Sequence, residues 1–185
     1  MKFLTFAASL RQDSANKKLI HVVNHGVKSQ GHEVDIADFK EFCPPNYNND
    51  DQDKTGFPSE VQDFVARMHA SQGLIIASPE YNYSTPGTLK NLIDWVSRLT
   101  SKPWANQRIL LLSASPSLVG GNRGLWHTRV PLEACGSFVY PDMFSLADAY
   151  NAFAVGETLE LANRDLQQRL ENTIKAFLNF CEKNS

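Results

Sequence analysis

The sequence predicts an α/β domain built on a doubly wound, parallel, five-stranded sheet with helices on both faces. Three observations carry this expectation. Short apolar runs alternate along the chain with segments whose apolar residues recur at helical spacing. The central runs, Gly73 to Ala77 and Ile109 to Leu112, are continuously aliphatic, as strands covered on both faces are. Strands alternating with helices require crossover connections, which produce parallel pairing and place helices on each side of the sheet.

Taken in order, Lys2 to Ala7 is a short apolar run and reads as the first strand. From Asn16 to Lys28, Leu19, Ile20, Val23 and Val27 mark one face of a helix, which Gly31 ends. His32 to Ala37 alternates as a second strand. Glu41 to Gly56 is polar, with Pro44-Pro45 and an Asn/Asp cluster, and is expected to be an exposed loop. Pro58 suits the first turn of a helix carried by Val61, Phe64, Val65 and Met68. After the third strand, Gly73 to Ala77, a helix follows on Leu89, Leu92, Ile93 and Val96, and then the fourth strand, Ile109 to Leu112. The next helix contains Pro131, which is expected to kink or end it. Phe138 to Tyr140 supplies the fifth strand. A last helix is expected from about Thr158 to Cys181, on Leu159, Ala162, Leu166, Leu170, Ile174 and Phe177. No internal repeat or linker interrupts this pattern, so residues 1–185 are expected to form a single domain.

Composition narrows the function. A formal net charge of −2 leaves no electrostatic footprint for nucleic acid or an anionic membrane. No apolar run approaches the roughly 20 residues of a membrane span. Met1 leads directly into the first strand, so no secretion signal is expected. Cys43, Cys135 and Cys181 are scattered and odd in number, with neither a metal-ligand spacing nor a disulfide framework. A reducing cytoplasm is the expected setting. The five histidines likewise show no ligand spacing, and no metal is expected.

In open sheets of this kind, ligands bind beyond the carboxyl ends of the strands, at a switch in strand order. The loops after Ala7, Ala77 and Leu112 are therefore the ones to examine. In the first, Ser9, Arg11, Ser14 and Asn16 surround the start of a helix, where free N–H groups and the helix dipole favour an anion. These donors suit a phosphate monoester. They also suit a plain capping loop with Ser14 as N-cap. The loop lacks the Gly-Lys-Ser/Thr ending of a P-loop and the Gly-x-Gly-x-x-Gly of a dinucleotide site. In the second, Pro79, Pro86 and Gly87 restrict a loop that displays Tyr81 and Tyr83 around Asn82, enough to wall a flat ring and bond its edge. The alternative is a rigid turn whose tyrosines pack on a neighbouring subunit. The third, Ser113 to Asn122, has small residues and Gly120-Gly121 that permit close backbone approach.

Ser9-x-Arg11-x-x-Ser14-x-Asn16, followed by Pro79-Glu80-Tyr81-Asn82-Tyr83-Ser84-x-Pro86-Gly87-x-Leu89-Lys90-Asn91-x-Ile93-Asp94-Trp95, resembles the NADPH-dependent FMN reductase family. That family has a flavodoxin-like fold and includes quinone, chromate and azo-dye reductases. The resemblance implies that Ser9, Arg11, Ser14 and Asn16 hold the FMN phosphate. It implies that Pro79, Glu80, Tyr81, Asn82 and Tyr83 line the isoalloxazine and ribityl side, with Ser115 a further flavin contact. It also implies a homodimer or homotetramer, with Lys90, Asn91, Asp94 and Trp95 as candidate interface residues. Hydride would pass from NAD(P)H to FMN, and electrons onward to a quinone, flavin, azo compound or similar small acceptor. No side chain is required as catalytic acid, base or nucleophile. Glu80 is expected to serve a structural role in the loop.

Two positions depart from the family pattern. Ala8 stands where a glycine often precedes the loop serine, and its methyl is expected to narrow the approach to phosphate. Pro131 leaves the acceptor side and the oligomer contacts open. Two other functions fit the same fold: an FMN electron carrier of the flavodoxin kind, against which the net charge of −2 argues, and a non-catalytic redox-sensing module.

Overall fold

The computed structural model describes residues 1–154 and 160–183. Its strands are β1 (Lys2–Ala7), β2 (Glu33–Ile36), β3 (Gly73–Ala77), β4 (Arg108–Ala114), β5 (Phe138–Val139) and β6 (Phe144–Leu146). They form one parallel sheet in the order β2-β1-β3-β4-β5, with β6 also on β4. β5 pairs with the start of β4 (Arg108↔Phe138, Ile109↔Val139), and β6 with its end (Leu112↔Phe144 to Ala114↔Leu146). The fifth position of the sheet is thus one edge strand broken at residues 140–143. Pro141 lies in the break and has no N–H to give a ladder.

Strand alternation sends side chains into two cores. Leu4, Phe6, Leu74, Ile76, Ile109 and Leu111 belong to one, with residues of α3 (Ser59–His69), α4 (Gly87–Ser97) and α5 (Asn122–Ala134). Phe3, Ala7, Ile75, Ala77, Leu110 and Leu112 belong to the other, with residues of α1 (Ala15–Ser29) and α6 (Arg164–Lys183). In the first core Phe6 stacks on Phe39 at 5.6 Å between centroids and meets Phe42 and Phe64 edge-on. Each fully buried side chain of this size contributes about 1.5–3 kcal/mol.

The structure departs from expectation in three places. The polar stretch Glu41 to Gly56 is not wholly loop. A 3-10 turn at Phe39–Phe42 overlaps its start, closed by a capping box between Asp38 and Glu41, and the exposed helix α2 (Asn49–Thr55) lies within it. Asn91 Oδ1 accepts from the Tyr47 N–H at 2.8 Å, while its Nδ2 donates to the Pro44 and Pro45 carbonyls. Trp95 donates from Nε1 to the Pro45 carbonyl at 2.8 Å. Asn91 and Trp95 therefore anchor their own chain. Pro131 does not end α5, which runs on to Ala134 with the proline in its last turn, where the missing N–H removes one helical bond. Finally, α6 begins at Arg164, where Asn163 Oδ1 accepts from the N–H groups of Asp165 and Leu166. Thr158 and Leu159 lie outside the described residues.

At the β2 edge, Arg67 donates to both carboxylate oxygens of Asp35 (3.1 and 2.6 Å) and to Glu41 at 2.6 Å. These hydrogen bonds hold the Asp35 carboxyl below its ordinary pKa, outweighing the opposing effect of burial.

Candidate cofactor site

The strand order reverses direction between β1 and β3, which opens a crevice above their carboxyl ends. Ladder bonds continue one residue past the strands, from the Ala8 N–H to the Ala77 carbonyl (2.9 Å) and from the Ser78 N–H to the Leu112 carbonyl (2.8 Å). The chain then turns sharply, and the Ser9 N–H donates back to the Ala7 carbonyl at 2.7 Å. Ala8 is buried in the first core. Its methyl is packed there and does not line the crevice, so the expected narrowing does not arise.

Ser14 is the N-cap of α1, its Oγ accepting from the Asn16 N–H at 3.2 Å. Its own hydroxyl hydrogen remains available. Between the turn and the cap, the backbone N–H groups of Leu10 through Asp13 donate to nothing among the described residues. Asn16 points inward. Its Nδ2 donates to the Ala114 carbonyl and its Oδ1 accepts from the Ala114 N–H, each at 2.9 Å. This reciprocal pair ties the first turn of α1 to the end of β4, leaving one Nδ2 hydrogen.

The second loop is a tight hairpin. Tyr81 and Ser84 exchange both N–H···O bonds at 3.0 Å around Asn82 (φ 50°) and Tyr83 (φ 62°). Both central residues are left-handed, as a type I′ turn requires. Asn tolerates that region, whereas Tyr83 is strained in it. The loop is stitched to α5. Glu80 Oε2 accepts from the Gly124 N–H at 2.8 Å, so the carboxylate meets the positive end of that helix. The Arg123 guanidinium lies 4.3 Å from the Tyr83 ring centroid. Ser84 Oγ is 3.4 Å from His127 Nδ1, and the hydroxyls of Thr85 and Thr128 share a bond of 2.9 Å. Close approach depends on two glycines. A Cβ at Gly124 would stand 2.9 Å from Glu80 Cβ and 3.0 Å from its Cα, and a Cβ at Gly121 would collide with the Ser113 side chain.

These loops enclose a cavity of about 230 Å³ lined by Ser9, Arg11, Asp13, Ser14, Ala15, Asn16, Pro79, Glu80, Tyr81, Ala114, Ser115, Pro116 and Tyr150. Of the residues expected from sequence, Ser9, Arg11, Ser14, Asn16, Pro79, Glu80, Tyr81 and Ser115 meet here. Asn82 and Tyr83 sit outside, at the hairpin tip. Asp13, Ala15, Ala114, Pro116 and Tyr150 were not among the expected site residues. Arg11 is exposed and has no ion-pair partner among the described residues, whereas Asp13 is 3.3 Å from Lys18. Two larger cavities, of about 410 and 440 Å³, lie elsewhere. One is a polar groove between α1 and α6, and the other lies beside Trp104 and Cys135 near the amino end of β4. Neither lies at the carboxyl ends of the strands, so chemistry favours the smaller space.

Fold and site together define an α/β protein able to hold a phosphate monoester beside a flat ring. The sequence profile of the NADPH-dependent FMN reductase family matches residues 1–151. The chain is 34% identical to an NAD(P)H-dependent FMN reductase of Pseudomonas aeruginosa, over 92% of each chain. It is 29% identical to a quinone reductase of Escherichia coli K12, over 99% of this chain and 96% of that one. Among solved structures, an NAD(P)H:(acceptor) oxidoreductase from Paracoccus denitrificans superposes with a TM-score of 0.83 at 24% identity, covering 99% of this chain and 98% of the other. The chain belongs to the NADPH-dependent FMN reductase family. It is an FMN-dependent oxidoreductase with NAD(P)H as co-substrate.

Proposed function

We propose that this single domain binds the FMN phosphate with Ser9, Arg11, Ser14, Asn16 and the Leu10–Asp13 backbone, and the flavin side with Pro79, Glu80, Tyr81, Asn82, Tyr83 and Ser115. The observation that carries the reading is the row of unpartnered N–H groups beside the unpaired Arg11, facing Pro79–Tyr81 across one cavity. That donor set fits a phosphate: several N–H groups, two hydroxyls and one guanidinium. The cavity is smaller than the roughly 300–1,000 Å³ that encloses a whole drug-sized ligand. It therefore suits the phosphate and polyol chain, with the ring lying along Pro79–Tyr81 and open on its outer side.

When bound, FMN supplies the hydride-accepting and electron-passing chemistry. The protein positions it. Arg11 and the loop amides offset phosphate charge, and the hairpin fixes the wall beside the ring. Glu80 is held by the Gly124 N–H as a positioning residue, so no proton transfer is assigned to it. The acceptor we infer is a quinone or a similar flat, small oxidant, supported by the quinone reductases among the relatives and by the open side next to the exposed Tyr81. A homodimer or homotetramer is supported by the large apolar side chains that α5 exposes at Trp126 and Val130, one turn apart. A cytoplasmic setting agrees with three cysteines that form no disulfide. Among the described residues, no helix is long and apolar enough to cross a membrane.

The test is spectroscopic. The purified protein, supplied with FMN, is expected to show a visible flavin band that NAD(P)H bleaches and a quinone restores. Failure to retain FMN would refute the site assignment. Bleaching without restoration by any quinone would refute the acceptor.

A further inference from the structure

One feature of the cavity lies outside the three loop motifs: the ring of Tyr150. It stands on the rim with Ser9, Arg11, Asp13 and Ser14, yet it is 75% exposed. A tyrosine ring this bare leaves apolar surface in water that a ligand can cover.

The backbone beneath it is firmly held. Ser115 donates its N–H to the Leu146 carbonyl at 3.0 Å, and the buried Ala149 donates its own to the Ser115 carbonyl at 3.1 Å. Asp148 adopts a left-handed φ of 47°. Its carboxylate accepts from Asn151 Nδ2 at 3.1 and 3.2 Å, and its carbonyl accepts from the Asn151 N–H at 3.0 Å. Tyr150 is therefore presented by a turn locked on both sides, which reduces the ordering cost of a contact there. The tyrosine hydroxyl has no protein partner among the described residues. A neutral hydroxyl donor also complements the charge already present. Arg11 supplies the cation, and Lys18 engages Asp13, the acidic residue on the rim.

We propose that Tyr150 is a further cofactor-binding residue, whose ring covers the phosphate end of FMN and whose hydroxyl donates to the phosphate. This inference rests on the FMN assignment made above for the same cavity. It predicts two separable contributions. Removing the hydroxyl alone takes away one hydrogen bond to a charged group, a loss of roughly tenfold or more in affinity. Removing the ring as well exposes the phosphate end to water and speeds release.

The experiment titrates the full-length chain, freed of flavin, with FMN and with riboflavin, following quenching of flavin fluorescence. Wild type, Tyr150→Phe, Tyr150→Ala and Arg11→Ala are compared, with thermal melts to confirm folding. Tyr150→Phe is expected to weaken FMN about tenfold and leave riboflavin unchanged. Tyr150→Ala is expected to weaken FMN further and to release it faster on dilution. If both Tyr150 variants bind FMN as wild type does while Arg11→Ala binds it poorly, the phosphate site stands and the role of Tyr150 is overturned. If wild type binds FMN no better than riboflavin and Arg11→Ala changes nothing, the phosphate reading itself fails and Tyr150 falls with it. Equal weakening of FMN and riboflavin by Tyr150→Phe would overturn the phosphate bond.

Discussion

Gly124→Ala perturbs the join between the flavin loop and α5 with a single methyl group. The added Cβ would lie 2.9 Å from Glu80 Cβ, 3.0 Å from its Cα and 3.1 Å from its Cγ. Two of those atoms belong to the root of the residue, so a change of rotamer relieves little. The loop or the helix must shift, and the 2.8 Å bond from the Gly124 N–H to Glu80 lengthens. Alanine gains about 1 kcal/mol over glycine in a helix. Overpacking costs about 1–3 kcal/mol, and loss of a hydrogen bond to a charged group about 1.5–3 kcal/mol. The balance is a net destabilisation of about 1.5–5 kcal/mol, which lowers Tm by roughly 3–20 °C in a chain of this length. Because the displaced segment is Pro79–Tyr81, FMN affinity falls as well. The assay is a thermal melt paired with an FMN titration. An unchanged or raised Tm with wild-type FMN affinity would refute the claim that close approach at Gly124 sets the loop position.

Other substitutions isolate other parts of the site. Arg11→Ala is expected to weaken FMN binding by about 1.5–3 kcal/mol, while riboflavin affinity stays constant; unchanged FMN titrations contradict its phosphate role. Asn16→Ala leaves the N–H and carbonyl of Ala114 without their partner, and denaturant melts should show a loss of about 1–3 kcal/mol. Tyr83→Gly relieves a left-handed residue, worth about 1–2 kcal/mol, against the loss of an exposed cation–π contact worth about 0.5–1 kcal/mol. Its melts should therefore be unchanged or slightly higher, and a clear drop counts against strain at the hairpin tip. Stability should also depend on acid through Asp35. Its folded pKa is lowered, so its contribution is full above the ordinary carboxylate range and is lost as pH falls through the lowered value. Arg67→Ala should flatten that part of the stability profile, and an identical acid limb in the variant excludes the pair as its source.

Much of this site was legible in the sequence because the chemistry sits where strands end. The runs finishing at Ala7, Ala77 and Leu112 directed attention to three loops that do converge. The burial of Asn16 was also readable, since Asn16, Ile20, Val23 and Val27 share the core stripe of α1. Alternation along Leu4, Phe6 and Ala8 likewise assigns the Ala8 methyl to the first core. Other features depend on distances along the chain that no local pattern encodes. Tyr150 reaches the rim because the three-residue β6 pairs with the end of β4, and a strand that short has no periodicity to detect. The contacts of Glu80, Tyr83, Ser84 and Thr85 with α5 depend on how that helix is rotated. The glycine at 124 fits that approach, but its meaning emerges only beside Glu80.

The order of the two cores along the chain has a consequence for synthesis on the ribosome. β1 is the first strand made and ends up in the interior of the sheet. One of its faces packs against α6, with Phe3 and Phe177 6.0 Å apart between ring centroids. α1, made before β3 and β4, already covers part of that face, and the part beneath Phe177, at Phe3 and Gly73, is covered only once α6 leaves the exit tunnel. The cofactor loops are complete by Tyr150, before that cover arrives. Every residue lining the cavity at the strand ends is thus synthesised before the helix that completes the second core, so that the cavity and the core are finished at different points of synthesis.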